Sequence, residues 1–429
     1  MSRSFVLVMV LLVHFGCGAD GQPSPRAQRD AVVVPPMDAH PADAVSTDIA
    51  PSVFNPGEGW ALADAHPAPI ALAPRPWIRL RWVPSYNQDS QERAATGLKW
   101  ALSLLGAHLH PNQEADLITW HSKTHMDVNF VAAGMTAQAL TALNTLCKKL
   151  RDSEEYAVRG GIDLGRFLLL TLGTSAHYYR ITGTPQTYAA FKAQHSKPTH
   201  TVNITASLVA KEDRRLMGGV AAQAREIAWV AEEGSGQISD GSFKVIERET
   251  LDVMANGQLR FAVYGVDGQL RPAGDPNHSV AGKPARCMWC HESGLQRAWL
   301  DNSVGKGGMT RAEFHTLVDK QTLLLQQLRT NTPQSIGLDV QDKHIQMELI
   351  YVAFMEPTVE RLAAEWGLPV AQVRSMTAGM RRHTEMEYRA WLQPSLSRGQ
   401  VASLVPYAVV RVPSDPLEPA AFEPDYLTP

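Results

Sequence analysis

The sequence predicts an α+β fold made of a helical N-terminal block, an antiparallel β segment and a helical C-terminal part. Three observations predict it. Apolar residues recur at helical spacing from about 90 to 195, and again beyond 310. Between 201 and 265, β-branched and aromatic stretches alternate with turn residues. The 429-residue chain is 44% hydrophobic and 19% charged, enough apolar side chain to bury a sizeable core.

Taken in order, the chain opens with Ser2-Arg3-Ser4, an unbroken apolar run from Phe5 to Val13, and small residues at Gly16 to Ala19. A positive start, an apolar stretch too short to span a bilayer and a small-residue end make a secretory signal. Residues 1–16 are therefore read as a signal peptide, and the protein as exported, periplasmic or held at the cell envelope. Residues 17–76 carry little periodicity, and 18–76 hold eleven of the 28 prolines, which reads as a flexible tether. Gly16-Cys17 resembles the end of a bacterial lipobox, although His14 and Phe15 depart from the family pattern. That resemblance implies lipidation of Cys17 and a membrane anchor; cleavage after Ala19 is the rival.

The ordered body is expected to start at Trp77, where Trp77 to Trp82 alternates like a strand. Residues 77–200 read as mainly helical. Leu98, Ala101, Leu102, Leu105 and Leu109 form one stripe, and Leu140, Leu143, Leu146 and Leu150 another, before a buried apolar helix over Ile162–Leu172. Residues 201–300 read as β-rich, with strands at Thr201–Val209, Phe243–Val253 and Gln258–Gly265 and turns at Ser235-Gly236, Asp240-Gly241 and Asp267-Gly268. Residues 301–411 return to helix. Thr310 and Glu313 make a capping box, and helices are expected to about Arg329, over Asp342–Met355, Val359–Trp366, Val370–Met380 and His383–Trp391. Residues 412–429, with five prolines, read as an extended tail.

The net charge of −3 lacks the basic footprint that backbone phosphates demand, so nucleic acid is not expected as a partner. The helix-turn-helix pattern of Leu362 to Val373 is accordingly read as an ordinary helical corner. No Gly-x-Ser-x-Gly or Walker pattern is present.

Four cysteines are too few for a disulfide-built scaffold. Cys147 stands alone in a helical stripe and reads as a buried, inert thiol. Cys287-Met288-Trp289-Cys290-His291 has the CxxCH spacing, which chance gives about once in a thousand chains of this composition. Two thiols so spaced reach the two vinyl groups on one porphyrin edge, and the next histidine is held under the iron. The motif resembles that of c-type cytochromes. The resemblance covers five residues and implies covalent haem c, with Cys287 and Cys290 as attachment residues and His291 as axial ligand. Export agrees with that chemistry. A haem-carrying protein would serve electron transfer, with a redox partner protein, or a haem-dependent reaction.

Three other readings of the motif stand beside it: a Cys287–Cys290 disulfide in a non-enzymatic structural or binding lipoprotein, a thioredoxin-like redox pair, and a zinc site. The sixth iron position has candidates at Met309, in a glycine-rich loop, and at His344 and Met347, with Met309 preferred. Met347, Tyr351 and Met355 also match a core stripe. His121 and His125 are read as polar, partly exposed residues, and His177 to Arg180 as packing.

Overall fold

The computed structural model describes residues 76–84, 90–112, 114–205, 207, 209–297, 308–338, 341–382, 394–419 and 422–428. The expected signal peptide, Cys17, the expected tether up to residue 75 and the helix expected over His383–Trp391 lie outside them. The described part is an α+β fold with two sheets.

The N-terminal block is mixed where the sequence predicted mainly helix. Its sheet has the order β2-β3-β1-β4, from β1 (Trp77–Arg81), β2 (Ile118–Trp120), β3 (His125–Asn129) and β4 (Ile162–Asp163), with β1 antiparallel to β3 and parallel to β4. Strands of two to five residues, with charged Arg79 and Asp127 pairing across β1 and β3 at 2.7 Å, leave too short an alternation to read. His121 and His125 flank the β2–β3 turn, and His121 Nε2 lies 2.7 Å from Asp127. Around this sheet pack α1 (Gln91–Leu104), α2 (Ala137–Arg151), α3 (Glu154–Arg159), α4 (Leu164–Leu168), α5 (Ser175–Thr182) and α6 (Tyr188–Gln194). The apolar segment 162–172 is buried throughout, but as β4, α4 and a π-turn over Leu169–Gly173.

The second sheet is an antiparallel meander: β5 (His200–Ile204), β6 (Arg214–Gly218), β7 (Ala228–Ser235), β8 (Lys244–Val253) and β9 (Leu259–Gly265). The sequence reading found β5, β8 and β9. It missed β6 and β7 because their buried face carries Arg214 and Glu233 where a core strand normally carries aliphatic residues. Cross-strand partners share a face. One face therefore presents the rows Ile204-Arg214-Glu233-Glu247, Val202-Leu216-Ala231-Glu249-Val263 and Trp229-Leu251-Phe261.

Two helices cover that face, α7 (Pro284–His291) and α8 (Arg311–Asn331). The His291 ring centroid lies 5.1 Å from that of Phe261, and Trp229 Nε1 donates to Gln321 Oε1 at 2.7 Å. The motif thus sits on a helix, where the sequence placed it in an irregular segment. Eight residues with Cys, Trp and His, all weak helix formers, show no readable period; Pro284 in the first turn starts the helix.

The C-terminal part is helical: α8, α9 (Gln341–Met355), α10 (Val359–Trp366), α11 (Val370–Met376) and α12 (Arg398–Val401). Thr310 and Glu313 form the capping box on α8. Helix α9 packs closely on α1 and α4. A Cβ at Gly97 would stand 2.7 Å from Ile350 Cδ1, and one at Gly165 2.4 Å from Phe354 Cβ, so both positions need glycine. α10 and α11 form a corner, with Gly367 left-handed at φ 70°. The tail beyond 412 carries no regular element among its described residues and is held by specific bonds. Tyr426 N donates to His177 Nε2 at 2.8 Å, and Lys283 N donates to Leu417 O at 3.2 Å. Glu423 accepts from Ser175 N and lies 3.4 Å from Lys283 Nζ.

Candidate haem-attachment site

Cys287, Cys290 and His291 share one side of α7. At 3.6 residues per turn they span an arc of about 100°. The opposite side anchors the helix in the core, with Ala285 1% and Met288 0% exposed. Cys290 is exposed, and Cys287 and His291 are half-buried. Cys290 thus faces solvent, while Cys287 packs against the core and His291 against Phe261 of β9. No disulfide joins the two thiols in this structure.

The chain turns sharply after His291. Glu292 and Ser293 are left-handed, at φ 46° and 73°, and they are the two non-glycine residues with positive φ among those described. That conformation is strained for residues with a side chain and clusters at functional sites. Here it brings Gly294 O back to 2.9 Å from His291 Nδ1. A carbonyl can only accept, so Nδ1 carries the proton and the Nε2 lone pair is left for a metal. Burial lowers the His291 pKa to about 4, with Arg214 adding to it and the Gly294 bond opposing it. The imidazole is neutral at neutral pH, the form a metal needs.

Cys287 has the reverse character of a redox thiol. Burial raises its pKa well above the ordinary value, and the Glu249 carboxylate and Cys290 raise it further against Arg214. Redox-active CxxC thiols are instead lowered, by a helix N-terminus or a neighbouring cation. Cys287 lies in the fourth position of α7 and Cys290 in the last turn, beyond the positive end of the helix dipole. The raised thiol and its place on the helix both weigh against the thioredoxin-like reading. Among the described residues, no group of three or more His, Cys, Asp or Glu is arranged to hold a metal ion. A haem needs only one protein nitrogen and two sulfurs, donors of the kinds that His291, Cys287 and Cys290 carry.

The sixth-position candidates fall in different places. Met309 is half-buried, packs in a cluster with Val202, Ile204, Phe314 and Val318, and donates its N–H to Thr201 O at 2.8 Å beside β5. His291 rests on Phe261 of β9, at the other edge of the sheet. The two share a covered face and belong to different clusters. His344 is 1% exposed on α9, and its Nδ1 accepts from Trp100 Nε1 at 3.1 Å. Its proton therefore sits on Nε2, the tautomer opposite to that of His291, which leaves neither nitrogen open to bind iron. Met347 and Tyr351 are buried in the core.

No family model, curated protein or solved structure matches this chain. The site's meaning rests on its own geometry. Sequence reasoning missed the partners that matter most, Glu249, Arg214 and Gly294, because they lie 3 to 73 residues from the motif and are joined to it only by the fold. The one signal present was the charge in β6 and β8 at positions facing the core.

Cys147 is fully buried and its thiol is raised to about 12 by burial, an inert core group. Among the described residues no helix is long and apolar enough to cross a membrane.

Proposed function

We propose that this chain is an exported monohaem protein of the c-type cytochrome class, serving electron transfer or a haem-dependent redox reaction, and tethered to a membrane through a lipid on Cys17. One observation carries the reading. The left-handed turn at Glu292–Ser293 aims Gly294 O at His291 Nδ1, which fixes the histidine in the tautomer that presents Nε2 to a metal. The spacing of Cys287 and Cys290 on the same side of α7 supports it.

In this reading Cys287 and Cys290 hold the group by thioether bonds and His291 holds the iron from one side. When bound, haem supplies one-electron chemistry at a potential set by its ligands and surroundings. Phe261 orients the imidazole from the sheet. Glu249 and Arg214 set the local field. A redox partner protein, rather than nucleic acid, is the expected macromolecular contact.

The test is expression with a c-type haem maturation system, followed by haem staining after denaturing electrophoresis and a pyridine haemochrome spectrum. We expect stain that survives denaturation and disappears in Cys287→Ala/Cys290→Ala. A colourless wild-type chain beside a stained control cytochrome would overturn the proposal and leave the non-enzymatic lipoprotein reading.

A further inference from the structure

The His291–Gly294 bond depends on a turn that two left-handed residues make unfavourable, so something must hold that turn. Its holders are visible. Arg329, in the last turn of α8, donates from Nη2 to Ser293 O at 2.6 Å and from Nε to Gly257 O at 3.0 Å. Ser293, 3% exposed, donates from Oγ to Leu338 O at 2.7 Å. Gly257 lies in the β8–β9 turn at φ 84°, and a Cβ there would stand 3.1 Å from Arg329 Cγ. That turn is itself fixed: Asn256 Nδ2 donates to Ser103 O at 2.8 Å and to Ala107 O at 2.9 Å.

We infer that Arg329 is a positioning residue for His291: by tying the 292–294 turn to the β8–β9 turn, its guanidinium keeps Gly294 O on Nδ1 and so decides which imidazole nitrogen meets the iron. The inference rests on the haem reading for its purpose, and its geometry stands apart from it. A planar fork can bind two carbonyls in fixed directions at once, which the single ammonium of lysine does less well. Arg329 is nearly forty residues from the motif, on a different element.

The measurement is the 15N imidazole spectrum of the apo chain, with His291 assigned by loss of its signals in His291→Ala. Wild type should show the Nδ1–H tautomer alone. Arg329→Gln should give a mixture with the Nε2–H form, and Arg329→Lys should restore part of the native signal. A folded Arg329→Gln protein, judged by near-ultraviolet circular dichroism, with an unchanged tautomer would overturn the inference. Should that variant fail to fold, Arg329→Lys, which keeps the charge and loses the planar fork, is read in its place; a partial mixture then supports the inference and an unchanged tautomer overturns it. In the haem-loaded chain, external imidazole should displace His291 about 10-fold more readily in Arg329→Gln, the usual scale for loss of an outer-shell partner. Absence of haem from the wild type would sink the proposed function, while the apo spectrum would still decide the role of Arg329.

Discussion

Two buried charge networks in this molecule are built on opposite balances. Beside β1 and α10, Glu155, Asp163 and Glu365 meet Arg81, Arg159, Arg166, Arg361 and Arg398. Arg166 lies 2.8 Å from Glu155, Arg361 2.9 Å from Asp163, and Arg398 2.8 Å from Glu365. The two extra guanidiniums have their own task at the C-terminus of α10, where Arg81 donates to Glu365 O at 2.8 Å and Arg159 to Ala364 O at 3.0 Å. Cations there complete the free carbonyls and oppose the negative end of the helix dipole. Arg398, Arg166 and Arg361 also stack on Phe354, Arg398 at 3.8 Å from its ring centroid.

The sheet face beneath α7 has the reverse balance. Glu233, Glu247 and Glu249 share one buried cation, Arg214, which lies 2.6 Å from Glu233 and 2.9 Å from Glu249. Glu233 and Glu247 are direct cross-strand partners, where like charges repel. The contrast is sharpest between Glu365 in the first network and Glu233 and Glu247 in the second, although burial also raises Glu155 in the first against Arg166 and Arg81. Burial raises Glu233 to about 8 against Arg214, with Glu249 and Glu247 helping, and raises Glu247 to about 7. At Glu365 burial acts in the same direction, but Arg398, Arg361 and Arg166 outweigh it and hold the group at about 2.

The largest effect should come from breaking the arginine-rich network. Glu365→Ala strands Arg361 and Arg398 in the core, at a cost of about 3–5 kcal/mol. Urea denaturation of the variant beside the wild type measures it, and a loss under about 1 kcal/mol would mean water reaches the arginines.

Glu365 and Glu233 should also respond to pH in opposite senses. Glu365 has a folded pKa below its unfolded value of 4.5, so its contribution is present above that pH and lost as pH falls toward 2. Glu233 has a folded pKa above 4.5, so its contribution is full below that pH and lost as pH rises toward 8. Stability followed from about pH 5 to 8.5 should therefore decline, and Glu233→Gln should flatten the curve and exceed the wild type by about 1–2 kcal/mol at the alkaline end. A wild-type curve flat over that range would show that Glu233 is ionised throughout.

The smallest change sharpens the comparison at one bond. Tyr407 OH donates to Glu365 O at 2.9 Å, alongside Arg81. Tyr407→Phe should cost about 1 kcal/mol and leave the pH profile unchanged, because the carbonyl keeps its arginine. A shifted acid limb would instead show that the hydroxyl helps to set the Glu365 carboxylate.

What the sequence made legible follows the same division. Helices α1, α2, α8, α9 and α10 announce themselves through periodic apolar residues, and the Thr310–Glu313 capping box through spacing alone. The motif, being contiguous, could be read and its chemistry stated. Strands β6 and β7 could not, since a buried Arg214 or Glu233 contradicts the ordinary strand signature and makes sense only beside its cross-strand partner. The turn at Glu292–Ser293 was equally hidden, because neither residue type advertises positive φ. Long-range partners such as Arg329 leave no local trace.

The bonds on Lys283 have one more consequence, in the order in which the chain is made. Its N–H and ammonium are met by Leu417, Asp415 and Glu423, more than 130 residues further along the chain. The first turn of α7 therefore gains these bonds only after residues 415–423 have been made. At about 5–20 residues per second, the roughly 130 residues between Lys283 and its partners delay that closure on the order of ten seconds.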